Sequence, residues 1–174
     1  MKLVVGLGNP RPEYFATRHN AGFLVADQLT SGKWIKSKSN LLLYSWLNSG
    51  IELIKPLTYM NESGRAVAYA VKKHRVDLND LFVIHDDLDI KLGDYKIQFG
   101  KGPKDHNGLK SIDDELGQNA YWHVRVGVDN RDPGDRTPGE AYVLQNFTDA
   151  ERRILDQTIK EICKKLATLL KGTN

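Results

Sequence analysis

The chain has 174 residues, 40% of them hydrophobic and 27% charged, with one cysteine, Cys163. This suits a single domain spanning 1–174 with its own core, and it excludes intrinsic disorder, an internal disulfide and a cysteine-only metal site. No apolar run reaches the ~18 residues a membrane helix needs, and Met1–Pro10 lacks the apolar run and small-residue cleavage site of a signal peptide. The expectation is therefore a cytoplasmic chain without membrane contact.

The net charge of +3 is confined to one end. Residues 151–174 hold six Lys/Arg against three Asp/Glu, while residues 1–150 hold nineteen of each. That end is a candidate contact for a polyanion, or a solvated helix face.

Lys2 to Leu7 is a β-branched run ended by glycines and predicts a buried strand. Asn20 to Ser31 predicts a helix, capped by Asn20 and stopped at Gly32. Leu41–Leu47 and Ile51–Ile54 predict a hairpin around Asn48-Ser49-Gly50, with Pro56 ending the second strand. Asn61 to His74 predicts a second helix, with Ala66, Val67, Ala70 and Val71 on one side. Leu81 to His85 predicts a short strand that ends in a burst of carboxylates. Tyr95 to Phe99 alternates as a strand, Asn107 to Leu116 is helical, and Trp122 to Val128 is a strand again. Asp129 to Glu140 predicts a loop. Thr148 or Asp149 then caps a long final helix, in which Leu155, Ile159, Ile162, Leu166 and Leu170 form one apolar stripe. Arg153, Lys160, Lys164 and Lys171 fall on its opposite face, and Cys163 beside the stripe suits a small buried hydrophobe.

Strands alternating with helices predict an α/β fold: a twisted, mixed, largely parallel sheet with helices on both faces. Sites in such sheets form beyond the C-terminal ends of strands, so the segments after Leu7, Ile54, Ile84 and Phe99 carry the interest.

Gly6-Leu7-Gly8-Asn9-Pro10 lacks the third glycine of a dinucleotide fingerprint. His19, just before a helix, is a candidate general base or a capping residue. Tyr59 and Met60 before Asn61 are apolar groups in a polar turn that could line a pocket. His85-Asp86-Asp87-Leu88-Asp89 leaves two functional readings open. One is a divalent metal site; the other is a carboxylate that orients and charges an imidazole. Gly100 to Ser111 is a lysine-bearing loop running into a helix start, suited to an anion, though it is not a Walker motif. Together the loops present His19, Asp86, Asn9, Asn61 and Asn107. Side-chain amides offer donors and acceptors to a neutral carbonyl, and no serine or cysteine nucleophile accompanies them. That favours attack by a water activated by histidine.

These segments resemble the bacterial-type peptidyl-tRNA hydrolase family. The motifs are Gly6-Leu7-Gly8-Asn9-Pro10 with Tyr14 and Thr17-Arg18-His19-Asn20-Ala21-Gly22; Lys55-Pro56-x-Thr58-Tyr59-Met60-Asn61-x-Ser63-Gly64; His85-Asp86-Asp87-Leu88-Asp89; and His106-Asn107-Gly108-Leu109-Lys110-Ser111. They occur in the family's order and spacing up to Phe147. The resemblance implies a metal-independent, cofactor-free esterase, working as a monomer, that frees tRNA from peptidyl-tRNAs released by stalled ribosomes. It implies His19 as the base, Asp86 as the group holding its imidazole, and Asn9 at the scissile region. Asn61 and Asn107 would bind substrate, with Tyr14, Tyr59 and Met60 shaping the pocket for the 3′ end. Lys96, Lys101, Lys104 and Arg125 would contact tRNA phosphates along the acceptor stem.

The sequence departs from the family at Gln98, where a second lysine is usual. It departs also at Pro103, Lys104 and Asp105 in a loop usually richer in glycine, and at Asp129. Two other classes are a binding relative without turnover and a metal-dependent hydrolase using His85, Asp86 and Asp89. Retention of His19 with Asp86 opposes the first, and sensitivity to a chelator would mark the second.

Overall fold

Leu3, Val4 and Val5 are wholly buried because β1 (Lys2–Gly6) lies at the centre of the sheet, with apolar side chains on both faces. In this computed structural model, which describes residues 1–172, α1 (Ala21–Thr30) follows β1 and ends at Ser31 in the left-handed region, with φ 53°. Then come β2 (Ile35–Lys36), β3 (Leu42–Asn48), β4 (Ile51–Pro56) and α2 (Ser63–His74). The chain continues through β5 (Leu81–Lys91), β6 (Tyr95–Phe99), α3 (Asn107–Leu116), β7 (Trp122–Asp129), α4 (Gly139–Val143) and α5 (Asp149–Lys171).

The seven strands form one sheet in the order β2-β3-β4-β1-β5-β7-β6. The four central strands β4, β1, β5 and β7 run parallel, and the pairs β2–β3, β3–β4 and β6–β7 are antiparallel. The sheet is mixed as expected, with its parallel part confined to the middle. There both faces are covered, as parallel strands require.

On one face α1 and α5 pack over Val4, Leu53, Ile84, Val124 and Val126; on the other, α2 and α3 pack over Val5, Ile54, Leu81 and Val83. The five stripe residues of α5, Leu155, Ile159, Ile162, Leu166 and Leu170, are all buried. Thr148 caps α5 in a reciprocal box with Glu151. Cys163 is half-buried, and burial pushes its thiol up to about 11.

The helices after β1 and β4 leave to opposite faces, so a crevice opens at the C-terminal ends of the central strands. The start of α1 lies hard against that crevice. A Cβ on Gly22 would come within 2.6 Å of the Leu7 backbone and 2.3 Å of the Ile84 carbonyl. Only glycine permits this approach, which brings the turn before α1 to the end of β5.

Candidate active site

Three consecutive residues ahead of α1 have separate tasks. Arg18 is buried and donates to both carboxylate oxygens of Glu151 in α5, at 3.0 and 2.8 Å, with its guanidinium 3.9 Å from the Tyr142 ring centroid. Asn20 does not cap α1. Its side chain forms a two-bond ring with the backbone of Asn9, accepting from the amide and donating to the carbonyl, both at 2.9 Å. His19 is therefore fixed on both flanks. Asn9 in turn accepts from the Met60 amide through Oδ1 at 2.8 Å, which leaves its Nδ2 donor for the cleft.

The carboxylates expected beyond a strand end lie inside one. β5 continues through Lys91, and Asp86 and Asp87 are buried because each has a cationic or N–H partner. His19 Nδ1 lies 2.9 and 3.0 Å from the two oxygens of Asp86, and His106 Nε2 lies 2.9 Å from Oδ1. Burial opposes the charge on Asp86, yet His19 and His106 outweigh it and hold this carboxyl well below the usual carboxylate range. Burial likewise opposes a cation on His19, and the Asp86 carboxylate more than offsets it, raising the imidazole above its ordinary value. An ionised carboxylate only accepts, so His19 Nδ1 carries the proton and Nε2 presents a lone pair to the cleft.

His106 is the side-chain cap of α3. Its Nδ1 accepts from the amides of Gly108 and Leu109, at 3.1 and 3.3 Å. That nitrogen is unprotonated, so Nε2–H is the donor to Asp86. The ligand atoms of His19, Asp86 and His106 lie within 4.8 Å of one another, the only such group among the described residues. Coordination through His106 Nε2 would move its proton to Nδ1, against two backbone N–H groups that already point there. The cluster therefore suits hydrogen bonding rather than a metal ion.

His85 and Asp89 do not join this cluster. His85 Nδ1 donates to the Asp86 carbonyl at 2.9 Å, and its Nε2 accepts from His123 Nδ1 at 3.3 Å. Burial pushes His85 far down, and burial with Arg125 pushes His123 down to about 4. Asp89 accepts from the Lys104 amide instead.

The cleft above the cluster encloses about 800 Å³. Asn9, Tyr14, His19, Tyr59, Met60, Asn61, Asp86, Lys104 and Asn107 all line it. Met60 is a buried wall, whereas Tyr59, Asn61 and Asn107 are exposed. Tyr59 is also stacked by Arg11, 5.2 Å from its centroid. Lys96 and Lys101 are exposed outside the cleft.

Arg125 is placed otherwise than a phosphate contact requires. It is 5% exposed, donates through Nε to Asp87 at 2.7 Å, and donates through NH1 to Gln98 at 2.8 Å. Gln98, the departure noted in the sequence, accounts for part of this, since a lysine there would repel the guanidinium.

Sequence reasoning gave no site role to His106, Asn20 or Arg18. For His106 a signal existed: a polar residue directly before a predicted helix start occupies the capping position. For Arg18 none did, because its partner lies 133 residues away.

A family model described as Peptidyl-tRNA hydrolase matches residues 3–174. The chain is 43% identical to the peptidyl-tRNA hydrolase of Geobacter metallireducens, over 98% of this chain and 89% of that protein. It is 42% identical to that of Mycobacterium avium, over 95% and 86% respectively. The crystal structure of peptidyl-tRNA hydrolase from Acinetobacter baumannii superposes with a TM-score of 0.89 at 30% identity, covering 99% of this chain and 89% of that one.

Proposed function

The chain belongs to the peptidyl-tRNA hydrolase family and hydrolyses peptidyl-tRNA, and from that premise we propose that His19 is its general base. The observation that carries this is His19 Nδ1 on both oxygens of a buried, ionised Asp86, with Nε2 left to the cleft. A water hydrogen-bonded to Nε2 attacks the ester carbonyl and gives its proton to His19. The tetrahedral oxyanion then collapses, and the ribose hydroxyl leaves with the proton returned from His19. Asp86 stabilises the imidazolium formed between these steps.

Asn9 Nδ2 is the pre-aimed donor for the scissile region, since Oδ1 is held by Met60. Asn107 and Asn61 bind the substrate amides, and Tyr14 and Tyr59 flank the 3′ end. Lys96, Lys101 and Lys104 meet acceptor-stem phosphates, while Arg125 stays inside the sheet and braces Asp87. No metal or cofactor takes part. Every group in the scheme comes from one chain of one domain, 1–174, so a monomer suffices; residues 173 and 174 lie outside the described residues. Among the described residues no helix is long and apolar enough to cross a membrane, and a ribosome-made substrate places the reaction in the cytoplasm.

The test is hydrolysis of an N-acetylaminoacyl-tRNA across pH, with and without EDTA. His19→Ala should lose on the order of 10²–10⁴ in rate, the usual worth of a general base. The wild-type rate should resist EDTA. It should rise with pH through a value above about 6.5, because His19 must be unprotonated and Asp86 raises its pKa. Loss of activity in EDTA, or an unchanged rate in His19→Ala, would reject the scheme.

A further inference from the structure

We propose that His106 is a positioning residue that sets the proton affinity of His19, by donating a fixed neutral hydrogen bond to Asp86 while capping α3. The proposal rests on His19 being the base. Its foundation is the direction of three hydrogen bonds. The amides of Gly108 and Leu109 donate to Nδ1, which leaves Nε2–H, 2.9 Å from Asp86 Oδ1. The side chain is 4% exposed, with ring centroids 5.0 Å from His19 and 5.4 Å from His85. A backbone-locked tautomer always offers a donor here.

That donor has a defined electrostatic effect. It draws on the charge of Asp86, which also faces His19 Nδ1–H at 2.9 and 3.0 Å. A carboxylate shared between two donors attracts the His19 proton less than one serving His19 alone. His106 therefore tempers the basicity that Asp86 confers. It also links two parts of the reaction, because Asn107 is the next residue and the first of α3. The base and the amide that binds substrate are referred to one imidazole.

The other charged groups nearby do not supply this effect. His85 and His123 are kept uncharged by burial. Asp87 is paired with Arg125, and Asp105 is paired with Lys110 at 2.6 Å. Asp89, Lys104 and Glu140 stand in the open cleft wall, where water screens them.

Two substitutions separate the cap from the donor. His106→Asn keeps an oxygen in reach of the α3 amides but is too short to reach Asp86. His106→Gln places an N–H donor at the distance of Nε2 and gives up the cap. The experiment records kcat and kcat/KM for N-acetylaminoacyl-tRNA against pH, with Tm for each variant, and His19→Ala as control.

In His106→Asn the acid limb should move up by roughly 0.5–1 pH unit, the scale of one lost charge-assisted hydrogen bond, with Tm near wild type. In His106→Gln the limb should stay in place while Tm falls. An unmoved limb in His106→Asn, or an equal shift in both variants, would overturn the proposal and reduce His106 to a cap. Retained activity in His19→Ala would instead overturn the base assignment itself, so the two failures are distinguishable.

Discussion

On the face under α1 and α5 the strands show Val4, Leu53, Phe82, Ile84, Val124, Val126 and Val128, with buried polar groups, Lys55 and Asp86, entering only toward the C-terminal ends of β4 and β5. On the face under α2 and α3 the apolar run stops at Val83 and Tyr121 and gives way to His85, Asp87, His123 and Arg125, all buried. The first face is stabilised by area and close packing, which change by degrees. The second holds together by reciprocal partners. His85 relies on the Asp86 carbonyl, His123 on His85, and Arg125 on Asp87 and Gln98. Removing one member there leaves another polar group buried without a partner.

The sharpest way to break the contrast is on the polar face. Arg125→Met leaves the wholly buried Asp87 carboxylate uncompensated and should cost about 3–5 kcal/mol in urea denaturation. Adding Asp87→Leu should return much of that loss, because the stranded charge goes with it. A single variant as stable as wild type would show the pair to be dispensable.

Ile162→Ala, on the apolar face, should cost about 2–5 kcal/mol. The turnover of the folded fraction should not change, since Ile162 packs within the apolar cluster and the α5 side chain bonded beside His19 is Glu151. A fall in kcat at a temperature where the variant is fully folded would show that the two faces are coupled. The smallest effect lies at the joint between them. Thr148→Ala should cost about 1 kcal/mol for the lost cap, read from Tm. It should also lower kcat slightly, because the same box orients Glu151 toward Arg18.

Regular periodicity made the elements legible. The bounds of Tyr95–Phe99 and Asn107–Leu116 coincide in sequence and structure, and the α5 stripe is buried throughout. β2 escaped notice because it has two residues, both exposed, and no pattern to read. β5 runs to Lys91 because its carboxylates are neutralised by Arg125, His19 and His106, from 20 to 67 residues away, and no local rule sees such partners. α4 begins at the last two residues of the expected loop, Gly139 and Glu140, and runs to Val143 where no element was expected, its Tyr142 ring covered by Arg18 and Arg131.

The residues of the candidate site were legible mainly as a set of loops after strands. Nine of the residues singled out line one cleft. Their hydrogen-bond directions were not legible, because Asn20 reads as a cap and His106 as a neighbour of Asn107. Only the folded backbone assigns each a partner. The family resemblance makes Arg125 a phosphate contact, whereas its strand register turns it inward to Asp87.

The Arg18–Glu151 pair also has a consequence in time. His19 emerges early in synthesis, but the carboxylate that anchors its neighbour follows 133 residues later. At about 5–20 residues per second, that gap lasts on the order of ten seconds. Throughout it the growing polypeptide carries its imidazole without the brace that aims it. Catalytic competence is therefore a late event of biogenesis, reached when the final helix docks.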